Sequence, residues 1–462
     1  MSLATAIIEE DLRAVEEWLR HRPDLNQMDE YGFTPLIEAA IADNLAIAKL
    51  LLAHGADVNG QDATGNTALH WATENNNLEL VQFLLARGAN PNAYTLSGQA
   101  VLVMPILRRQ ADLRRILYQA GANEVFAQDF INLKLLGHMF ELVGTAALVD
   151  PQNKYVEVDF EGFFLEITLG LICDSLAQFQ NNYGARKLRR YLGLSQVIVD
   201  VMQRAAELVR YRQYRVDVSK HRPMILSLAQ QEPLILPIGY EGHAITFVKY
   251  GQIIAKCDRR EDSRLYDNIM CYRIGRPDIF TNQFVMDLLY KKQSGQFINE
   301  DLPQLLELTP LTEIKVESQI SGNCSWANVE ACIPTLFFLV LASLPGGVES
   351  LSQYKSLALN FYHRWREWNK ERALQFCLNS FQEADSIRKA CKAEILAAIL
   401  FQRCGSGQIS DKARTESILA IFENSRYHYI LQNYLQTYYY RSPTPEGEQF
   451  SRLLKTYGII KG

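Results

Sequence analysis

The sequence predicts a multidomain chain: an all-α solenoid, then an α+β domain, then a C-terminal helical region. Three observations predict it. Two glycine series, Gly32, Gly65, Gly98 and Gly55, Gly88, Gly121, share one interval of 33 residues. Beyond Pro223 the texture becomes that of short apolar strands between turn residues. Beyond Val348 long segments with helical periodicity return. The expected division is 1–123, 124–347 and 348–462.

The glycine interval marks a structural repeat, because two independent series rarely share a period by chance. Asp29-Glu30-Tyr31-Gly32-Phe33-Thr34-Pro35-Leu36 leads into an alanine-rich helix, and Leu50-Leu51-Leu52-Ala53-His54-Gly55-Ala56-Asp57-Val58-Asn59 closes a second one. Gly65-Asn66-Thr67-Ala68-Leu69-His70-Trp71-Ala72 opens the next copy, which ends at Gly88-Ala89-Asn90-Pro91-Asn92. The unit resembles the ankyrin repeat in period and in both motifs. Gly55, Gly88 and Gly121 end helices, where positive φ is cheap for glycine. About four copies are expected. The first, near 7–26, lacks the Thr-Pro-Leu-His motif and reads as a cap. The last, from Tyr94, is degenerate, with Pro105 inside its first helix. His70 reads as a structural tie between neighbouring turns. The resemblance implies a concave protein-binding face. It also implies that Asn59 and Asn92 occupy positions where ankyrin asparagines are hydroxylated in animal cells.

Residues 127–215 read as mostly helical, with Phe130, Leu133, Leu136 and Met139 on one face. The stretches 224–228 and 234–236 read as buried strands. A hairpin follows: Gly242-His243-Ala244-Ile245-Thr246-Phe247-Val248-Lys249, a tip at Tyr250-Gly251, then Gln252-Ile253-Ile254-Ala255-Lys256-Cys257-Asp258. With that tip, His243 falls directly opposite Asp258, and facing Cβ atoms in such a ladder lie about 5 Å apart. A carboxylate there accepts the imidazole N–H and stabilises the imidazolium. The competing reading of Asp258 is strand-end solvation, since Arg259, Arg260, Glu261 and Asp262 follow.

The stretch Gln319-Ile320-Ser321-Gly322-Asn323-Cys324-Ser325-Trp326 precedes a strongly apolar helical run. Cys324 therefore falls at a helix N-terminus, where free N–H groups favour the thiolate. Gln319 is placed to present its amide to an oxyanion, beside the Cys324 backbone N–H. Trp326 is expected to shield the ion pair from water. His221 is the reserve base, opening a strand at His221-Arg222-Pro223, and Cys332 reads as core. The competing reading makes Cys324 one more buried cysteine. A glutamine before the cysteine, a tryptophan after it, and a histidine followed about fifteen residues later by aspartate together resemble the papain-like cysteine protease superfamily. The order His, Asp, Gln, Cys resembles its permuted members, the SUMO-deconjugating and adenovirus-type proteases and the YopJ-like acetyltransferases. The chain departs from the SUMO proteases at Asn323-Cys324-Ser325, where they carry Asp-Cys-Gly, and at Ala244, where they carry an aromatic.

In the last quarter, 354–381, 390–401 and 413–440 read as helices, with Gly405-Ser406-Gly407 between the second and third. Ser442-Pro443-Thr444-Pro445 reads as the start of a tail. The tyrosines Tyr434 and Tyr438 to Tyr440 read as core and interface. Pro345-Gly346-Gly347 lacks the Lys-Ser/Thr pair of a phosphate loop and reads as a turn.

Composition bounds the function. The 462 residues are 48% hydrophobic with a net charge of −5, so neither nucleic acid nor an anionic membrane is expected as a partner. The basic run at Lys187-Leu188-Arg189-Arg190 reads as a solvated face. Eight scattered cysteines form no CxxC pair, so neither a metal site nor a disulfide framework is expected, and no cofactor is implied. Glu9, Glu10 and Asp11 interrupt any signal-peptide core. The apolar run 331–344 contains Pro334 and reads as too short to span a bilayer.

Ankyrin repeats joined to a protease-like domain resemble the Legionella type IV-secreted ankyrin effectors. That resemblance implies passage from the bacterial cytoplasm through the type IV secretion machinery into the host cell, its cytosol or nucleus. It also implies that the concave face binds a host protein. The polar tail with Glu446 and Glu448 fits a translocation signal. Three activities stay open: peptide or isopeptide hydrolysis by Cys324, His243, Asp258 and Gln319; a catalytically silent module that remodels a host complex; and acyl transfer.

Overall fold

The computed structural model describes residues 2–460 apart from 163, 183–184, 187–190, 213–217, 241, 261–268, 320–321, 344–350, 405–408 and 424. The basic run at 187–190 and the turns at 345–347 and 405–407 lie outside the described residues. The chain forms two compact units: Met1–Leu133 with Gly144–Asp159 and Phe381–Leu396, and Lys134–Val143 with Phe160–Ser380 and Ala397–Gly462.

The first unit stacks four helix pairs: α1 (Leu3–Ile8) and α2 (Leu12–Arg20), α3 (Pro35–Ile41) and α4 (Leu45–Ala53), α5 (Ala68–Glu74) and α6 (Leu78–Ala86), α7 (Val103–Leu107) and α8 (Ala111–Gln119). Side-chain caps start them: Asp11 for α2, Thr34 for α3, Asn44 for α4 and Asn77 for α6. Each such cap stabilises its helix by about 1 kcal/mol. The last pair opens on a helix of only five residues that contains Pro105 and has no side-chain cap. All six repeat glycines take positive φ. Asparagines couple successive copies. Asn59 Nδ2 donates to the Gly88 carbonyl at 3.1 Å and its Oδ1 accepts the Asn90 N–H at 2.7 Å. Asn92 repeats both bonds with Gly121 and Asn123.

α9 (Glu124–Met139) follows and buries Phe130, Leu133, Leu136 and Met139 as the periodicity predicts. A strand pair, β1 (Thr145–Val149) and β2 (Tyr155–Asp159), then interrupts what the sequence suggested was helix. The reason lies in Val156 and Val158, which alternate with exposed residues along β2 and pack against Gly98. A Cβ on Gly98 would stand 2.7 Å from Val158 Cγ2, so the degenerate last repeat keeps its glycine to seat this hairpin.

The second unit holds α10 (Leu165–Gln180), α11 (Leu192–Arg210) and α12 (Arg222–Ala229), then a five-stranded sheet. α12 corrects the strand expected at 224–228. Ile225 and Ala229, four apart, are its buried residues, and Pro223 suits a first helical turn. A five-residue apolar run does not distinguish helix from strand. His221 caps this helix rather than opening a strand, and its ring packs on Tyr211.

The strands are β3 (Leu234–Tyr240), β4 (His243–Tyr250), β5 (Ile253–Cys257), β6 (Ile269–Arg273) and, after α13 (Asn282–Tyr290) and α14 (Leu302–Leu305), β7 (Thr309–Ile314). They lie in sequence order, every neighbour antiparallel. Leu236, Ile238, Ile245 and Phe247 point into one core with Leu208 of α11 and Leu288 of α13.

Next come α15 (Cys324–Glu330) and α16 (Cys332–Ala342). Together they make a 19-residue helical stretch long and apolar enough to cross a membrane, longer than the run 331–344 suggested, and its apolar 18-residue window is 89% buried within the protein. Ile333, Leu336 and Phe337 are fully enclosed, each contributing about 2 kcal/mol of apolar burial. α17 (Leu351–Glu383), α18 (Ser386–Arg403), α19 (Ile409–Phe422), α20 (His428–Leu435) and α21 (Pro445–Thr456) complete the chain. The single helix expected over 413–440 is thus two, α19 and α20, joined by a short turn at Ser425–Tyr427. The expected tail is a capped helix that buries Phe450 and Leu454, with Glu446 and Glu448 in its first turn.

Candidate active site

The β4–β5 register differs from the expected one. Tyr250 pairs with Ile253 and Thr246 with Cys257, so the tip is Gly251-Gln252, with Gly251 at φ 57°. His243 is therefore not directly opposite Asp258. The shift moves the pairing by two residues, however, and a two-residue shift keeps both side chains on one face. Asp258 reaches His243 diagonally, with Nε2 and Oδ1 3.0 Å apart. The other carboxylate oxygen stands 3.4 Å from Lys256 Nζ. Tyr240, paired with His243 at the end of the β3–β4 ladder, meets the imidazole edge-on at 5.5 Å between centroids. Its hydroxyl is held by Arg260 at 2.7 Å.

Cys324 is the first residue of α15, with Asn323 as its N-cap. Asn323 is pinned in turn: its Oδ1 lies 2.6 Å from His138 Nδ1, and its Nδ2 donates to the His138 carbonyl. The preceding Gly322 needs positive φ, and a Cβ there would sit 2.4 Å from the Glu161 side chain. The Gly162 N–H donates to the Gly322 carbonyl at 3.3 Å. Of the eight cysteines, only Cys324 is not buried.

The Ala244 N–H donates to Cys324 Sγ at 3.4 Å. Burial pushes the thiol up, but the hydrogen bond with His243, the Ala244 N–H and the imidazolium charge outweigh it and hold it below its ordinary value. Burial pulls His243 down, but its bonds to Asp258 and Cys324 raise it overall. Asp258 is destabilised by burial yet held low by His243 and Lys256. With Nε2 committed to Asp258, Nδ1 is the ring nitrogen left for the thiol. These shifts favour thiolate, imidazolium and carboxylate standing together.

Gln319 lies in the stretch after β7. It is buried, and its backbone N–H donates to the Arg259 carbonyl at 2.8 Å. Among the described residues no hydrogen bond joins its side-chain amide to Cys324, and its Oε1 has no partner. Trp326 is stacked on His138, 5.9 Å between centroids, and donates to Glu330 at 2.8 Å. Its indole thus buttresses the start of α15. Cys332 is buried core, and burial beside Cys257 raises its thiol. His70 ties repeats: its Nδ1 accepts the Thr67 N–H at 3.0 Å, and its Nε2 reaches toward the Gln99 carbonyl.

Sequence reading missed Tyr240, His138 and Asn328. Only Asn328 left a trace, standing one helical turn after Cys324. Its amide bonds Ala244 and Arg259.

Residues 3–95 match the ankyrin-repeat family in three copies. No curated protein matches the chain. Among solved structures, that of the Legionella effector AnkH is 40% identical, covers 100% of this chain and 98% of its own, and superposes with a TM-score of 0.85.

Proposed function

The chain belongs to the family of the Legionella effector AnkH, and on that footing we propose that it is an effector delivered by type IV secretion into a host cell, where its ankyrin repeats hold a host protein for a cysteine-dependent acyl-transfer site of protease type. One observation carries the catalytic part: the one cysteine of eight that is not buried accepts the Ala244 N–H beside an imidazole that is itself bonded to a carboxylate. Cys324 thiolate attacks the acyl carbon of a peptide or isopeptide bond, and the carbonyl electrons move onto oxygen. Backbone N–H groups at the start of α15 and the Gln319 amide receive that charge. His243 gives its proton to the leaving amine as the C–N bond breaks. A water then loses a proton to His243, attacks the thioester and returns the thiol. Tyr31 and Leu96, 67% and 76% exposed on the turns between repeats, are large apolar groups suited to partner contact.

The test is Cys324→Ala beside Tyr31→Ala/Leu96→Ala. An electrophilic ubiquitin or SUMO probe should label the parent and not C324A, while the repeat variant keeps labelling and loses host-protein capture. If C324A leaves every host phenotype intact and no electrophile discriminates it from the parent, the chain is a binding module only. Acetyl transfer from acetyl-CoA in place of hydrolysis would reassign the acceptor.

A further inference from the structure

The β4–β5 ladder stops at the Thr246–Cys257 pair. Continuing its register would bring Ala244 opposite Arg259, the two residues that follow His243 and Asp258. The four backbone groups of that pair are all diverted. The Ala244 N–H goes to Cys324 Sγ at 3.4 Å. The Ala244 carbonyl accepts from Asn328 Nδ2 at 2.6 Å. The Arg259 N–H donates to Asn328 Oδ1 at 2.8 Å. The Arg259 carbonyl accepts the Gln319 N–H at 2.8 Å. The strands have opened, and a side-chain amide stands where a rung would be.

A primary amide carries the donor and acceptor of a peptide group, so asparagine can bridge two strands that no longer reach each other. Asn328 is 1% exposed, which leaves its amide no solvent partner. It projects from the helix of Cys324, four residues on, so one side chain fixes three elements: the helix of the thiol, the strand of the imidazole and the strand end of the carboxylate. We propose that Asn328 is a positioning residue of the Cys324 site, its amide replacing the missing rung and holding open the gap in which the thiol meets His243. This rests on the reading of Cys324, His243 and Asp258 as the reacting groups.

The test is native-state alkylation of the full chain by iodoacetamide across pH, with the labelled cysteine located by peptide mapping. It reads Cys324 because the other seven cysteines are buried. In Asn328→Ala the profile should move alkaline by about one pH unit, so that labelling below the midpoint slows about tenfold. Asn328→Leu keeps the volume and should behave alike should alanine fail to fold; circular dichroism checks both. His243→Ala is the reference. If H243A shifts the profile and a folded N328A or N328L does not, Asn328 is merely structural and the proposal is overturned. If H243A itself changes nothing, the thiol–imidazole pairing fails, and the positioning role falls with it.

Discussion

Asp258 sits between His243 Nε2 at 3.0 Å and Lys256 Nζ at 3.4 Å, so its charge is the anchor of the proposed dyad. The pH window follows from the signs. Reactivity needs thiolate, so it rises as pH climbs through the lowered Cys324 value. It needs imidazolium for the leaving amine, so it falls as pH climbs through the raised His243 value. Asp258→Asn keeps the shape and removes the charge that raises His243. The alkaline limb should then move toward acid. With the imidazolium weakened, the thiol loses part of its stabilisation, and the acid limb should move toward alkali. A bell narrowed from both sides in a pH–rate profile is the expected outcome. A narrowing on the alkaline side alone would mean that the Ala244 N–H, not His243, sets the thiol.

At the scale of elements, the repeat glycines divide into two kinds. Gly88 has φ 90° and open space where a Cβ would stand, whereas Gly65 has φ 86° and would place a Cβ 2.7 Å from Leu96 N. Gly88→Ala should cost about 1 kcal/mol, the strain of a left-handed residue. Gly65→Ala adds a clash with backbone of the next turn and should cost visibly more in a thermal melt of the repeat unit. Equal costs would mean that the turns slide freely past one another. The same elements show what a sequence carries. Period and glycine position reveal repeats because each unit repeats one local solution. The His243–Asp258 contact was legible despite a wrong register, since a slip of two preserves the face. β1–β2 was not legible: its alternation spans five residues, and its packing partner, Gly98, lies far away in sequence. Asn328 and Tyr240 gain their meaning only from strands that open or turn in space, and no local pattern announces that.

At the scale of the second unit, a buried ionic cluster joins distant segments. Glu141 Oε1 accepts from Arg366 at 2.7 Å and from Arg259 at 3.0 Å. Glu330 Oε2 faces Arg366 at 3.4 Å and Arg259 at 3.7 Å, while Tyr362 donates to it at 3.2 Å. Two arginines thus face two buried carboxylates, with the exposed Glu317 pairing with Arg366 at 3.0 Å from the rim, and Arg259 directly follows Asp258. Burial penalises Glu141, but Arg366 and Arg259 outweigh it and lower its pKa. Its stabilising contribution is therefore present above the unfolded carboxylate value and is lost as pH falls through the folded one. Removing one member strands a buried charge. Glu330→Gln keeps one acceptor oxygen, enough for the Trp326 N–H, turns an amide N–H toward the Tyr362 hydroxyl, and leaves the guanidinium pair under-compensated. It should destabilise the unit by about 3–5 kcal/mol, lowering its melting temperature by roughly 10 °C. Arg366→Met in the same background should recover part of that loss, because charge balance returns, so the double variant falls short of additivity. Strict additivity would show that the four groups act independently, and the end of β5 would then owe its place to hydrogen bonds such as those with Asn328 and Gln319 rather than to charge.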